Sequence, residues 1–174
     1  MRWVRFSIVL LIVTLLHAGN LLNTISVSSF NIKPDLLLIL LVFLAVNCDP
    51  SEVIIVSFAI GFAADISGSS MGPYIISFGL FGSLISQMRK VVIMKRMVHQ
   101  AAAIFVTGLI AGALAQVLAF FKSKTGETAS NLHVVLPGTA LYSGIIGPVV
   151  WLFFSAISGW LGVHKPRFAR SAKR

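Results

Sequence analysis

Long runs of apolar residues, broken only by short polar turns, are the feature that most limits what this chain can fold into. Apolar residues make up 57% of its 174 residues and charged residues only 11%, whereas a soluble domain carries about 25% charge. The runs do not alternate with polar residues, so a membrane β-barrel is not indicated. In a bilayer the backbone polar groups must be satisfied within each segment, as they are in an α-helix. The sequence therefore predicts an all-α, polytopic membrane protein.

Turn signals and charges divide the chain into about six predicted membrane helices. Together they form one transmembrane domain, residues 1–164, followed by a basic cytoplasmic tail, residues 165–174. A basic start followed by apolar residues also fits a secretory signal, but Leu16 is too bulky for its cleavage site, so span 1 is predicted to be retained. The predicted spans are 6–25, 33–47, 50–67, 73–88, 97–121 and 136–163.

The clearest helix start is the sequence Asp49-Pro50-Ser51-Glu52, which opens span 3 with a capping Asp, a first-position Pro and a Glu three residues after the cap. Only about 14 residues separate the start of span 2 from this turn, fewer than the roughly 20 that a bilayer core needs. Span 2 must therefore be little tilted, lie in thinned lipid or be shielded by protein. Whether spans 2 and 3 cross fully or form a re-entrant hairpin stays open at this point.

Basic residues orient the predicted helices. With the N-terminus inside, eleven Lys and Arg residues fall on the inner side and three on the outer side. This distribution obeys the positive-inside rule, so both termini are predicted to be cytoplasmic. The basic residues lie at the edges of apolar runs and form no stripe with stacking aromatic residues, so nucleic-acid binding is not indicated.

A single carboxylate, Asp65, stands at the end of the third apolar run. An ionisable group at membrane depth is costly and marks a functional or assembly site, unless it lies at the headgroup boundary. A hairpin of spans 2 and 3 would return Asp65 to the level of Lys33 and Asp35. Since the end of a helix is unfavourable to an anion, Asp65 needs a partner, and Lys33 is the nearest candidate. The predicted structural or assembly cluster is Lys33, Pro34, Asp35, Asp65 and Gly68.

Small residues spaced four apart predict close approach between helices. They serve packing within the chain or a contact between two copies, and a homo-oligomer is left open. The predicted packing positions are Gly79, Ser83, Gly108, Gly112, Ser155 and Gly159.

Residues for catalysis or metal binding are not apparent. Cys48 is the only cysteine, so no internal disulfide can form, and the four histidines are far apart in sequence. There is no Ser/His/Asp arrangement and no phosphate-binding Gly-rich loop. The sequence predicts a protein that is not an enzyme, with no cofactor and no metal.

Two stretches resemble a known family. The run Lys33-Pro34-Asp35-Leu36-Leu37-Leu38 and the later run from Gly61 to Gly72, which holds Asp65 and Ser67-Gly68-Ser69, look like the rod shape-determining protein MreD family. These specific matches cover roughly residues 33–74, and the rest of the chain agrees in length and hydropathy.

The resemblance implies a non-catalytic component of the bacterial elongation machinery in the inner membrane. It would partner MreC and, through it, MreB and the RodA–transpeptidase synthase that builds lateral peptidoglycan. The family's fold is similar to the six-helix substrate-binding component of energy-coupling-factor transporters. The residues themselves leave a second reading open, a small-molecule or lipid-binding transport component.

Overall fold

The computed structural model describes residues 3–19, 33–68, 72–88, 97–122 and 132–162, most of which are helical. Within these ranges there are six helices and no strand, and each helix falls on a predicted span. The second part of predicted span 1 (residues 20–25), the segments 89–96 and 123–131 between spans, and the tail 165–174 lie outside the described residues. The helices are α1 (Trp3–Ala18), α2 (Leu36–Asn47), α3 (Pro50–Ser67), α4 (Pro73–Met88), α5 (Met97–Lys122) and α6 (Leu132–Leu161).

Three of the six helices are long and apolar enough to cross a membrane. These segments are Pro50–Ser67, Met97–Phe121 and Val135–Leu161, while α1 and α2 are shorter apolar helices. Many large apolar side chains point away from the bundle, including Phe62 on α3, Val106 on α5 and Val149 on α6. Exposure on this scale suits hydrocarbon rather than water. The chain is a membrane protein.

Helix α2 forms the centre of the bundle. Nine consecutive side chains, Leu37–Ala45, are each no more than 3% exposed. A helix that is apolar on every side has to be enclosed, and α2 contacts all five of the other helices. With 12 residues, α2 is too short for a bilayer core, and the structure shows that protein rather than lipid surrounds it. Of the three accommodations left open by the sequence, shielding by protein is the one observed.

The acidic residues at the starts of α2 and α3 differ in whether their side chains cap the helix. Asp49 stands at the N-cap of α3 with Pro50 next, as predicted, but its side chain makes no capping hydrogen bond. Asp35 does cap: its Oδ1 accepts the backbone N–H of Leu38 at 3.0 Å. Pro34 directly precedes this cap and lies outside the helix. The carboxylate caps the enclosed helix, whose N–H groups have least access to water.

The closest helix contact lies between α3 and α4. A Cβ on Gly61 would lie 2.7 Å from Ile75 Cα and 2.7 Å from the Tyr74 carbonyl oxygen. Further along the same pair, a Cβ on Gly82 would overlap the Ser57 side chain. Glycine at both positions lets the two backbones approach more closely than any other residue allows.

The predicted packing glycines divide into two groups. A Cβ on Gly79 would meet the Phe58 ring at 2.7 Å, one on Gly108 would meet Leu38 at 3.2 Å, and one on Gly112 would meet Leu136 at 3.4 Å. Gly159 differs, because a Cβ there would meet nothing within 4 Å. Ser155 is exposed, and the Ser83 hydroxyl donates to the carbonyl of Leu80 in its own helix. Close approach within the chain is therefore observed on α4 and α5, not at the end of α6.

The first and last helices meet at one end of the bundle. The Arg5 guanidinium donates to the carbonyl oxygen of Trp160 at 2.6 Å and lies 5.1 Å from the centre of its ring. A cation beside the last carbonyls of a helix complements the helix dipole, and the ring adds a cation–π contact. The start of α1 and the end of α6 therefore lie at the same end of the bundle.

Replacing Gly61 with Ala should destabilise the protein. The added methyl group has only backbone to displace, so we expect a cost of about 1–3 kcal/mol, seen as a lower melting temperature of the detergent-purified protein. Gly159→Ala is the matched control, because both changes add the same methyl group within a helix. It should leave the melting temperature unchanged or raise it. Equal effects of the two substitutions would contradict the packing described for Gly61.

Candidate functional site

The buried carboxylate Asp65 binds the first turn of the next helix. Its side chain is 1% exposed, although it belongs to the last turn of α3. Oδ1 accepts the backbone N–H of Tyr74 and Oδ2 that of Ile75, each at 3.0 Å. These N–H groups belong to the start of α4, where no intrahelical acceptor is available and the helix dipole is positive. Asp65 thus joins the end of α3 to the beginning of α4.

The residues around this corner also favour a close junction between α3 and α4. Pro73 occupies the first position of α4, where a missing N–H leaves nothing unsatisfied. Gly72 has φ 115°, a conformation that L side chains rarely adopt. Gly61, one helical turn before Asp65, lets the start of α4 lie directly on α3. Gly68 ends α3. Its N–H donates to the carbonyl oxygen of Ala64 at 3.0 Å and to the carbonyl oxygen of Asp65 at 3.2 Å.

The partner of Asp65 is therefore not Lys33. Among the residues that the structure describes, no ion pair joins Lys33 to Asp65 or to Asp35. The physical reason is that both Asp65 oxygens already accept N–H groups from a helix start, which supplies the compensating positive charge. Basic side chains can be read from a sequence, whereas the backbone N–H groups that will face a carboxylate cannot.

Asp35 links α2 to α6 and lies beside α1. Its backbone N–H donates to the Ser143 hydroxyl at 2.7 Å, and its side chain caps α2. His17 Nδ1, in the last turn of α1, lies 4.0 Å from Asp35 Oδ1, which is beyond hydrogen-bond distance. Asp35 therefore lies where three helices converge, at the end of the bundle opposite the contact of Arg5 with Trp160.

The link to Ser143 places Asp35 inside the length of α6. Ser143 comes eight residues after the start of the apolar segment Val135–Leu161. At 1.5 Å per residue this is about 12 Å along the helix. Asp35 and the start of α2 consequently lie below the level at which α6 begins, with parts of α5 and α6 extending past them.

A cavity of about 240 Å³ lies at this level. Asp35, Ser143, Tyr74 and Phe78 are among the residues that line it. Gln116 from α5 and Thr139 from α6 add further polar groups, while apolar side chains complete the walls. Tyr74 connects the two acidic residues, because its N–H binds Asp65 and its side chain lines the cavity with Asp35.

The sequence predicted one part of this arrangement. Asp65 binds the N–H of Tyr74, and Asp35 lines the same cavity as Tyr74. Ser143 was missed, because a lone Ser carries no signal of the helix it will face. The assembly role of the cluster stays a prediction.

Within the described residues, no group of three or more His, Cys, Asp or Glu side chains could hold a metal ion. The two carboxylates accept backbone N–H groups and cap helix starts. What this geometry does is fix the relative positions of α2, α3, α4 and α6.

Comparison with known proteins gives one match. A sequence model of the family described as rod shape-determining protein MreD matches residues 1–158. Searches of curated proteins and of solved structures give no match.

Asp65→Asn should weaken the corner between α3 and α4. An amide offers one acceptor oxygen to two N–H groups, and its own NH₂ group would face the second. We expect a loss of about 1.5–3 kcal/mol, the range for hydrogen bonds to a charged group, measured as a lower melting temperature and lower abundance in the membrane. Asp49→Asn is the control, since Asn caps a helix as well as Asp and Asp49 is exposed. A melting temperature that falls equally in both variants would exclude the proposed role of Asp65.

Proposed function

Because the chain belongs to the MreD family of rod shape-determining proteins, which implies a role in determining rod shape, we propose that it is a non-catalytic scaffold of the cell-elongation machinery. It would hold MreC in the inner membrane and, through MreC, connect to MreB and to the RodA–transpeptidase synthase that makes lateral peptidoglycan. The observation that carries this proposal is the family match over residues 1–158.

The bundle has the properties that a scaffold needs. Its central helix is enclosed, and its one wholly buried carboxylate among the described residues acts as a structural link between α3 and α4. Its outer helices present apolar side chains such as Ile110 and Leu152, which are free of tight packing within the chain. Association between membrane helices depends on shape and close packing, so a rigid apolar exterior suits recognition of a partner helix.

We further propose that the chain passes through the inner membrane six times and that both termini are cytoplasmic. The contact of Arg5 with the end of α6 supports an even number of crossings, because it brings the first and last helices to one end of the bundle. The positive-inside distribution supports the cytoplasmic side for that end. The basic residues there would also meet anionic lipid. The similarity to the energy-coupling-factor component stays a prediction.

Co-purification tests the scaffold. When the chain and MreC are co-expressed, affinity purification from solubilised membranes should recover MreC together with the chain. Trp can be placed at outward positions of one helix at a time, at Val106 and Ile110 on α5 or at Val149 and Leu152 on α6. If the substituted face is the one that contacts MreC, less MreC should be recovered while the abundance of the chain is unchanged. Asp65→Asn should lower both together. If the wild-type chain is abundant and recovers no MreC, the proposal is wrong.

Cysteine labelling tests the orientation. In a Cys48→Ser background, a cysteine placed at Thr125 should react with a membrane-impermeant reagent from outside intact spheroplasts. A cysteine placed at Ser171 should react only after the membrane is opened, and it serves as the matched control. Reaction of the second cysteine in intact spheroplasts, or protection of the first, would overturn the proposed topology.

A further inference from the structure

We propose that the cavity between α2, α4, α5 and α6 binds an ammonium group, carried by a lipid headgroup or by a free amine. The proposal does not depend on the scaffold role, so either one can fail without the other. It rests on the charge, the shape and the depth of the cavity.

Asp35 provides the negative charge. Among the described residues that line the cavity, it is the one charged residue, and none of them is Lys or Arg. In the described part of the chain, the group nearest to pairing with Asp35 is His17, at 4.0 Å. The Asp35 carboxylate accepts one N–H, from Leu38, and its side chain remains 28% exposed. A carboxylate at this depth is stabilised by more opposite charge than one N–H group provides, and a bound cation would supply that charge.

The other walls suit an organic cation better than a metal ion. Half-buried Tyr74 lines the cavity with Asp35, and its ring packs edge-to-face against the buried ring of Phe78, with ring centres 5.6 Å apart. Aromatic faces attract ammonium groups, whereas metal ions require several oxygen ligands around one point. The half-buried amide of Gln116 adds a hydrogen-bonding group for a substituent next to the nitrogen.

The volume sets the size of the ligand. At about 240 Å³ the cavity exceeds the space of a single water molecule several times over. It is smaller than the roughly 300–1,000 Å³ typical of sites for whole drug-sized ligands. A headgroup or a small amine fits this range. Leu38, Val135 and Leu136 on the remaining walls would contact the carbon atoms that carry the nitrogen.

Native mass spectrometry of the full-length chain, purified in detergent and stripped of lipid, tests the binding. The probes are dioleoyl phosphatidylethanolamine, dioleoyl phosphatidylglycerol with the same acyl chains, and ethanolammonium chloride. We expect phosphatidylethanolamine to be retained in preference to phosphatidylglycerol. Asp35→Asn, which keeps a capping side chain, should weaken that retention roughly tenfold, as expected for loss of a charged hydrogen-bond partner. Asp49→Asn makes the same change at the cap of α3, outside the cavity, and should have no effect.

A second variant separates binding from folding. Gly112→Leu would fill the cavity from the α5 side and leave Asp35 intact; a Cβ at Gly112 meets only the Leu136 side chain, at 3.4 Å. It should abolish retention with an unchanged elution profile in size-exclusion chromatography. If ethanolammonium displaces the lipid, a free amine is a sufficient ligand. If it does not, the ligand is the lipid, whose acyl chains contribute to binding. Equal retention of both lipids, or retention that neither variant changes, would overturn the proposal. So would binding of none of the three probes.

Discussion

The enclosure of α2 is the constraint on which the rest of the structure depends. Nine side chains in succession find apolar protein on every side, which is possible only if other helices surround α2 completely. The remaining five helices all contact it. Its length follows from the same fact: a helix with no lipid to face need not match the thickness of the bilayer. The start of α2, with Asp35, can therefore lie inside the bundle.

The buried carboxylate of Asp65, at the α3–α4 corner, is accommodated by backbone N–H groups instead of a basic side chain. A cation would have to be desolvated along with the anion, whereas the N–H groups at a helix start are already unsatisfied and need an acceptor. Pairing Asp65 with the start of α4 satisfies both sides at once. It also fixes where α4 begins, because an acceptor with two oxygens orients two consecutive N–H groups. An acid inside a membrane protein can thus be structural without any basic partner.

The sequence predicted the helices well because their signals are local. The turn at Asp49-Pro50 and the proline at position 73 mark helix starts through backbone chemistry alone, and both starts are where the structure has them. The tight hairpin of spans 2 and 3 predicts Asp35 and Asp65 at one level, and in the structure Asp65 binds the N–H of Tyr74 while Asp35 lines a cavity with Tyr74. The partner of Asp65 and the link from Asp35 to Ser143 did not follow, because they depend on which helices are neighbours. The glycines at the α3–α4 contact, Gly61 and Gly82, were not among the predicted packing positions, because spacing in the sequence does not show which small residues face a neighbouring helix.

The contact between Arg5 and Trp160 has a consequence for biogenesis. The two residues are separated by 155 positions, so α1 enters the membrane long before its partner has been translated. Helix α2 is likewise made before α5 and α6, two of the helices that enclose it, have been translated. An insertase or the surrounding lipid must therefore host these early helices until the last one arrives. Maturation is completed only after translation of α6, and a chain that stops short of it would expose the core to quality-control proteolysis.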